Sequence, residues 1–165
     1  MCIRDRFSTD GLVRRFVSAY RLKIPSSLKR RGLDWKGTTV YEQHRRYFRT
    51  KGYPVVEPLW NFDKDLLEQL SSWILQGEEV VLMLDMNDHI YKSPFARKLV
   101  EIGFEELFRK TNSADAPHSH AEGSKPLCAV YSTQGIDCRN YFQFRHGTGS
   151  GDHRVHGLDL SLIHI

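Results

Sequence analysis

Cysteine is scarce in this chain: 3 in 165 residues, at Cys2, Cys128 and Cys138. So few thiols, so far apart, exclude a disulfide framework and point to an intracellular, reducing compartment, nuclear or cytoplasmic. Long apolar runs are also missing. No stretch is long enough to span a bilayer, which excludes a helical membrane protein. There is no internal repeat and no low-complexity tract. Charge of one sign does not dominate, since 24 Lys and Arg stand against 20 Asp and Glu. The basic excess is concentrated early, at Arg14, Arg15, Arg21, Lys23, Lys29, Arg30, Arg31, Arg45, Arg46, Arg49 and Lys51. That bias suits a polyanionic partner and equally suits a solvated basic face.

The termini do not read as protein. Met1-Cys2-Ile3-Arg4-Asp5-Arg6 back-translates to ATG TGT ATA AGA GAC AG. The reverse complement of that string, read in frame, encodes the Leu160-Ser161-Leu162-Ile163-His164 of the other end. The two ends resemble inverted copies of a transposase-type sequencing adapter, of metagenomic character. Residues 1–6 and 160–165 are therefore set aside as adapter-derived. Residues 7–159 are then expected to be a partial domain cut from a longer protein. Setting the ends aside moves the net charge only from +4 to +3.

What is present is α/β. Val80-Val81-Leu82-Met83-Leu84 is continuously apolar and ends in Asp85-Met86-Asn87. Such a run reads as a central strand buried on both faces, Glu79 to Asp85. In an extended chain Asp85 and Asn87 would share a face. Gly11 to Tyr20 reads as a strand, followed by a break at Ile24-Pro25 and a basic loop from Lys29 to Lys36. Thr39 to Thr50 reads as a helix, and Pro54 and Pro58 as an extended connection. Asp63 is the expected N-cap of an amphipathic helix through Leu66, Leu70 and Trp73, stopped by Gly77. Ser93-Pro94 opens a further helix, ended by Gly103. Phe104 to Phe108 reads as a short link and Thr111 to Ser124 as a polar loop. Leu127 to Ser132, Ile136 to Phe144 and Val155 to Asp159 read as strands. Helix, glycine turn and apolar strand make the repeating unit of a layered fold.

Three segments together resemble the endonuclease/exonuclease/phosphatase superfamily, in the form carried by retroelement endonucleases. Val17-Ser18-Ala19-Tyr20-Arg21 is similar to the strand ending in an active-site tyrosine. Leu84-Asp85-Met86-Asn87 resembles the Gly-Asp-Phe-Asn box, and Gly151-Asp152-His153-Arg154 the Ser-Asp-His box. The three stand in the family's order. The resemblance implies a four-layered α/β sandwich, DNase I-like, of which this is an incomplete C-terminal portion. It implies phosphodiester hydrolysis with Mg²⁺ or Mn²⁺, DNA as substrate, and a reverse transcriptase domain in the same parent polyprotein. By position, Asp85 would activate the attacking water, Asn87 would fix water and phosphate, and His153 would stabilise charge on the phosphate. Tyr20 would touch the phosphate or the leaving group, and Asp152 would join the metal site. Arg21 and Arg154 are the candidate substrate-binding cations.

Departures accompany the match. Cys128 stands where the family carries an Asp that orients the histidine. Asp137 is near in sequence and is expected in a turn. The family's upstream Asn and Glu metal boxes precede anything present, so the fragment alone is expected to show little or no nuclease activity. A phosphoinositide or sphingolipid head group on the same fold, or a degenerate non-catalytic nucleic-acid-binding module, are the alternatives. His118-Ser119-His120 with Cys128 and Cys138 fits no compact zinc-ligand spacing.

Overall fold

A computed structural model of the chain describes residues 2–9, 11–23, 40–53, 57–149 and 151–161. The elements are β1 (Cys2–Thr9), β2 (Leu12–Tyr20), α1 (Val40–Thr50), α2 (Pro58–Leu75), β3 (Glu79–Asp85), α3 (Pro94–Glu101), β4 (Phe104–Glu106), α4 (Leu107–Asn112), β5 (Cys128–Thr133), β6 (Asp137–Gln143) and β7 (His156–Ser161). Five strands form one sheet in the order β1-β2-β3-β5-β4, and β6 pairs with β7 in a second, two-stranded sheet. The fold is mixed α/β. Among the described residues no helix is long and apolar enough to cross a membrane.

The apolar run is the centre of the molecule because β3 is covered on both faces. Val80, Leu82 and Leu84 pack with Leu66, Leu70 and Trp73 of α2 and Phe95 and Leu99 of α3. Val81 and Met83 face the other way, into a second cluster with Val130, Tyr141, Leu158 and Leu160. Alternate residues of one strand thus serve two cores, which removes the polar alternation a half-exposed strand shows. Helices α2 and α3, the five-stranded sheet and the two-stranded sheet stack in that order, and α4 lies on the second side, packed against β6.

Strand register decides what meets at the rim. β2 runs parallel to β3 with Tyr20 beside Asp85, and β5 runs antiparallel to β3 with Cys128 opposite Asp85. Tyr20, Asp85 and Cys128 therefore form one row across three strands.

Several boundaries differ from the sequence reading. The long helix opens at Pro58, not at Asp63. Glu57 caps it, its carboxylate accepting from the Leu59 and Trp60 amides at 2.9 and 3.2 Å. Proline at the first helical position lacks only an N–H that would be unpaired there anyway, so it begins the helix rather than extending the connection before it. Phe104–Glu106 is an edge strand on β5, not a link. Leu107–Asn112 is helical, taking Thr111 and Asn112 out of the expected loop. Asp137 opens β6 instead of sitting in a turn. The Ile24-Pro25 break, the basic loop from Lys29 to Lys36, and Pro54 lie outside the described residues.

The ends that read as adapter lie on strands. Cys2–Arg6 belongs to β1, which pairs along β2 from Cys2 opposite Ala19 to Thr9 opposite Leu12, and Leu160 and Ser161 end β7. A sheet edge accepts any short extended string through its backbone groups, whatever the string's coding origin.

Candidate functional site

Asp85 is the last residue of β3 and lies half-buried. The backbone leaves the strand immediately after it. Asn87 takes a positive φ of 51°, so the expectation that Asp85 and Asn87 project side by side from extended chain does not hold. The turn instead aims the Asn87 amide at Asp85, the backbone N–H donating to Oδ1 at 3.1 Å. The Asn87 side chain donates from Nδ2 to the Arg21 carbonyl at 2.8 Å, tying the ends of β2 and β3 together. One of its two N–H donors is thereby committed to the fold, and the second N–H and Oδ1 are the atoms left for substrate or water.

His153 reaches the same rim from the loop before β7. That loop is pinned to residues 118–121. His120 and His153 form an isolated antiparallel bridge, Arg154 N donates to Ser119 O and Ala121 N to Asp152 O, each at 2.9 Å. Ser119, fully buried, accepts on Oγ from the Leu127 and Cys128 amides at 2.9 and 3.0 Å. One serine thus fixes the start of β5 to the loop that carries the histidines. The result is a compact group in which an Asp85 oxygen, Cys128 Sγ and a His153 ring nitrogen all lie within 4.8 Å of one another.

The electrostatics follow from burial. Loss of solvent pushes the Asp85 carboxyl above its usual range, against the opposing pull of the Asn87 N–H and of His153. Burial, with the Asp85 charge beside it, pushes the Cys128 thiol up to about 12. Cys128 Sγ lies 3.0 Å from His153 Nδ1. Which atom donates in that contact is set by the imidazole tautomer, and the thiol, with a single S–H, also hydrogen-bonds Asp85. A carboxylate in this place would accept from Nδ1–H instead. Cysteine therefore lies beside His153 Nδ1, where the resemblance expects the orienting Asp, and offers a neutral thiol in place of a charged acceptor.

Asp152 stands outside this group, its side chain 68% exposed, with Oδ1 4.0 Å from His153 Nε2. Its Oδ2 accepts from His120 Nε2 at 2.8 Å. His120, Asp152 and His153 make a second set of donor atoms within 4.8 Å. His120 was not singled out as a site residue from the sequence. The alternation His118-Ser119-His120 was the available signal, but nothing in it names Asp152 as a partner.

Tyr20 is 43% exposed. It lines a cleft of about 470 Å³ between the sheets, with Asp85, Cys128, Arg154 and His156 in its wall. His156 is held well down, at about 4, by burial and by nearby His153. A separate, mainly apolar groove of about 620 Å³ lies over α1 and α2 on the opposite face of the main sheet and touches none of these residues.

The two arginines part company. Arg154 borders the cleft, with Nε donating to His118 O at 2.9 Å and Nη1 to Phe144 O at 3.1 Å. Arg21 does not face the cleft. It is buried, and its Nε and Nη2 bind both oxygens of Asp63 at 2.6 and 2.7 Å. The guanidinium also lies 5.2 Å from the Phe95 ring centroid. A strand-end arginine beside an active-site tyrosine reads as a substrate ligand in sequence, but here it joins β2 to α2. Much of the early basic bias is spent likewise: Arg14 pairs with Glu79, Arg15 with Glu78 and Arg45 with Glu42.

Mg²⁺, the ion the resemblance implies, favours an all-oxygen shell and keeps several waters. The described residues offer it Asp85 and, at a distance, Asp152, with sulfur and imidazole nitrogen set between them. That mixed donor set does not fit a magnesium centre formed by these residues alone.

No protein-family model and no curated protein matches the sequence. Solved structures do match in shape. An endonuclease/exonuclease/phosphatase family protein from Leptotrichia buccalis superposes with a TM-score of 0.55 at 9% identity, over 98% of this chain and 54% of that one. The human Nocturnin catalytic domain with bound sulfate gives 0.61 at 12% identity, over 97% and 52%. The endonuclease domain of TRAS1, a telomere-specific non-LTR retrotransposon, gives 0.50 at 14% identity, over 98% and 64%. The chain spans little more than half the length of the first two. Over that span, it has the DNase I-like α/β fold of endonuclease/exonuclease/phosphatase proteins.

Proposed function

We propose that this chain supplies one rim of a divalent-metal-dependent phosphodiester-hydrolysing site whose substrate is DNA, in an endonuclease of a retroelement polyprotein that also carries a reverse transcriptase. The observation that carries the reading is the meeting of Asp85 and His153, remote from each other in sequence, within 4.8 Å beside the cleft that Asp85, Tyr20 and Arg154 line. In this reading Asp85 accepts a proton from the attacking water, a task suited to a carboxylate whose basicity burial has raised. His153 presents Nε2–H to a non-bridging phosphate oxygen, where negative charge accumulates. The Tyr20 hydroxyl and Arg154 flank the phosphate, and Asn87 Oδ1 orients the water. The retrotransposon endonuclease among the similar structures favours DNA.

Because the chain covers about half of its structural neighbours, the expected behaviour is DNA binding with little or no cleavage. Fluorescence anisotropy with a short duplex should show binding that weakens steeply between 50 and 200 mM salt, as phosphate contacts require. His153→Ala should lower affinity by several-fold, and plasmid nicking in Mg²⁺ or Mn²⁺ should be negligible. Binding indifferent to salt and to His153→Ala would refute the DNA reading. Robust, Asp85-dependent nicking would refute the expectation of inactivity.

Cys128 favours a second reading, a non-catalytic nucleic-acid-binding module, because a protonated thiol cannot hold His153 as a carboxylate would. In the parent protein, cleavage by the Cys128 form would exclude that reading. Cleavage only after Cys128→Asp would establish it.

A further inference from the structure

We propose that Asp85, Cys128 and His153 form a three-ligand site for a thiophilic transition-metal ion of the zinc class, in place of the all-oxygen magnesium site that the resemblance implies. The inference rests on the donor atoms and their placement. It does not need the phosphodiesterase reading, and the two can fail separately.

The donors are one carboxylate oxygen, one sulfur and one imidazole nitrogen, all within 4.8 Å of one another. Zinc bonds of about 2.0 Å to nitrogen or oxygen and about 2.3 Å to sulfur set tetrahedral ligands roughly 3.3–3.8 Å apart. Small rotamer changes fit the observed group to that shell, the Cys128 Sγ–His153 Nδ1 pair opening slightly from 3.0 Å. Each donor sits on separately fixed backbone: Asp85 at the end of the doubly buried β3, Cys128 opposite it in register on β5, and His153 on the bridged loop. Ser119 Oγ holds the Cys128 amide.

The charge also balances. The thiol gives up one proton as the S–H bond is replaced by an S–metal bond, and thiolate plus carboxylate neutralise a divalent ion in a half-buried place. Among the described residues no Lys or Arg forms an ion pair with Asp85, and Lys23 acts on it only as a weak field, the last of the influences on its carboxyl. The His120–Asp152 pair packs against the His153 ring, centroids 5.3 Å apart, where it restrains the ring's orientation. Three protein ligands leave a fourth position for water or a substrate oxygen. Cys138 is excluded, since it lies on β6 with its thiol turned to the Asn140 carbonyl at 3.4 Å.

The test is a titration of the full chain, stripped with chelator, with Co²⁺. A near-ultraviolet thiolate-to-cobalt charge-transfer band should grow to one equivalent. Zn²⁺ should abolish it, and millimolar Mg²⁺ should not. Cys128→Ser and Cys128→Asp should each remove the band, with zinc affinity falling by more than about 100-fold. Cys2→Ser and Cys138→Ser should leave it intact. X-ray absorption of the unsubstituted zinc complex needs no variant to fold, and should show one sulfur at about 2.3 Å with nitrogen and oxygen at about 2.0 Å. Absence of the band, its survival in Cys128→Ser, its loss in Cys138→Ser, or a sulfur-free zinc shell would each overturn the proposal. If the band is absent while salt-sensitive DNA binding persists, only the zinc site has failed.

Discussion

Asp85 carries its charge against its surroundings. Burial raises its carboxyl, and the hydrogen bond from Asn87 N offsets only part of that cost. The sign for stability follows from proton binding. A carboxyl raised in the folded state binds protons more tightly there than in the unfolded chain. Its contribution is therefore favourable at low pH and lost as pH rises through the raised folded value. Asp85→Asn should then stabilise the chelator-treated protein at neutral pH. Relief of about 1 kcal/mol would raise Tm by roughly 2–4 °C for a chain of this size. The gain should shrink as pH falls below the ordinary carboxyl range, where both side chains are neutral. Thermal melts of the two forms at pH 7 and at pH 3.5 measure this. An Asn form that is less stable at pH 7 would show that Asp85 has a stabilising role which burial hides.

At the scale of elements, the segments legible in the sequence were those where one local rule acted alone. The β3 run was visible because a strand buried on both faces has no polar alternation. The Ser93 cap was visible because serine before proline has few other uses, and Ser93 Oγ accepts from Ala96 N at 3.1 Å. The start of α2 was misread because Asp63 and Glu57 are both plausible caps, and only the Arg21 pairing shows that Asp63 is used elsewhere. β4 is three residues long, too short for any period to register. The same competition concealed the role of Arg21. Its buried bidentate pair with Asp63 makes it a fastening between β2 and α2, so Arg21→Ala should cost about 3 kcal/mol by leaving Asp63 uncompensated. Arg21→Lys should also destabilise, since an ammonium cannot bond both oxygens in one plane. Urea midpoints of the two variants, with DNA affinity measured on the folded fraction, separate this from a substrate role. A form that is stable but binds DNA poorly would restore the substrate reading.

At the scale of the whole molecule, the meeting of Asp85 and His153 could be read from the sequence only through resemblance, because no local pattern encodes contact between residues so far apart in the chain. The place of Cys128 beside the histidine came with the same resemblance, whereas its contact with Asp85 needed coordinates, since register alone sets the two opposite. The ends raise the converse question of which paired residues the fold requires. β1 is an edge strand whose described side chains from Asp5 to Ser8 are exposed. Its exposed Phe7 meets Phe16 edge-on at 5.6 Å, at the margin of the second cluster, against which Phe16 packs. Within residues 1–6, Asp5 and Arg6 have exposed side chains on a strand paired through its backbone, whereas Leu160 packs against the second cluster. Deleting residues 1–6 should therefore cost less than about 2 kcal/mol, the scale of a few exposed edge hydrogen bonds. It should leave the Co²⁺ spectrum unchanged, because Tyr20, Asp85 and Cys128 are aligned by β2, β3 and β5. Replacing Leu160 by Ser should cost more than the whole six-residue deletion, since it exposes apolar surface between the sheets. Urea denaturation of the deletion and of Leu160→Ser tests the ranking. A deletion that unfolds the chain would show that β1 belongs to the domain and is not an appended string.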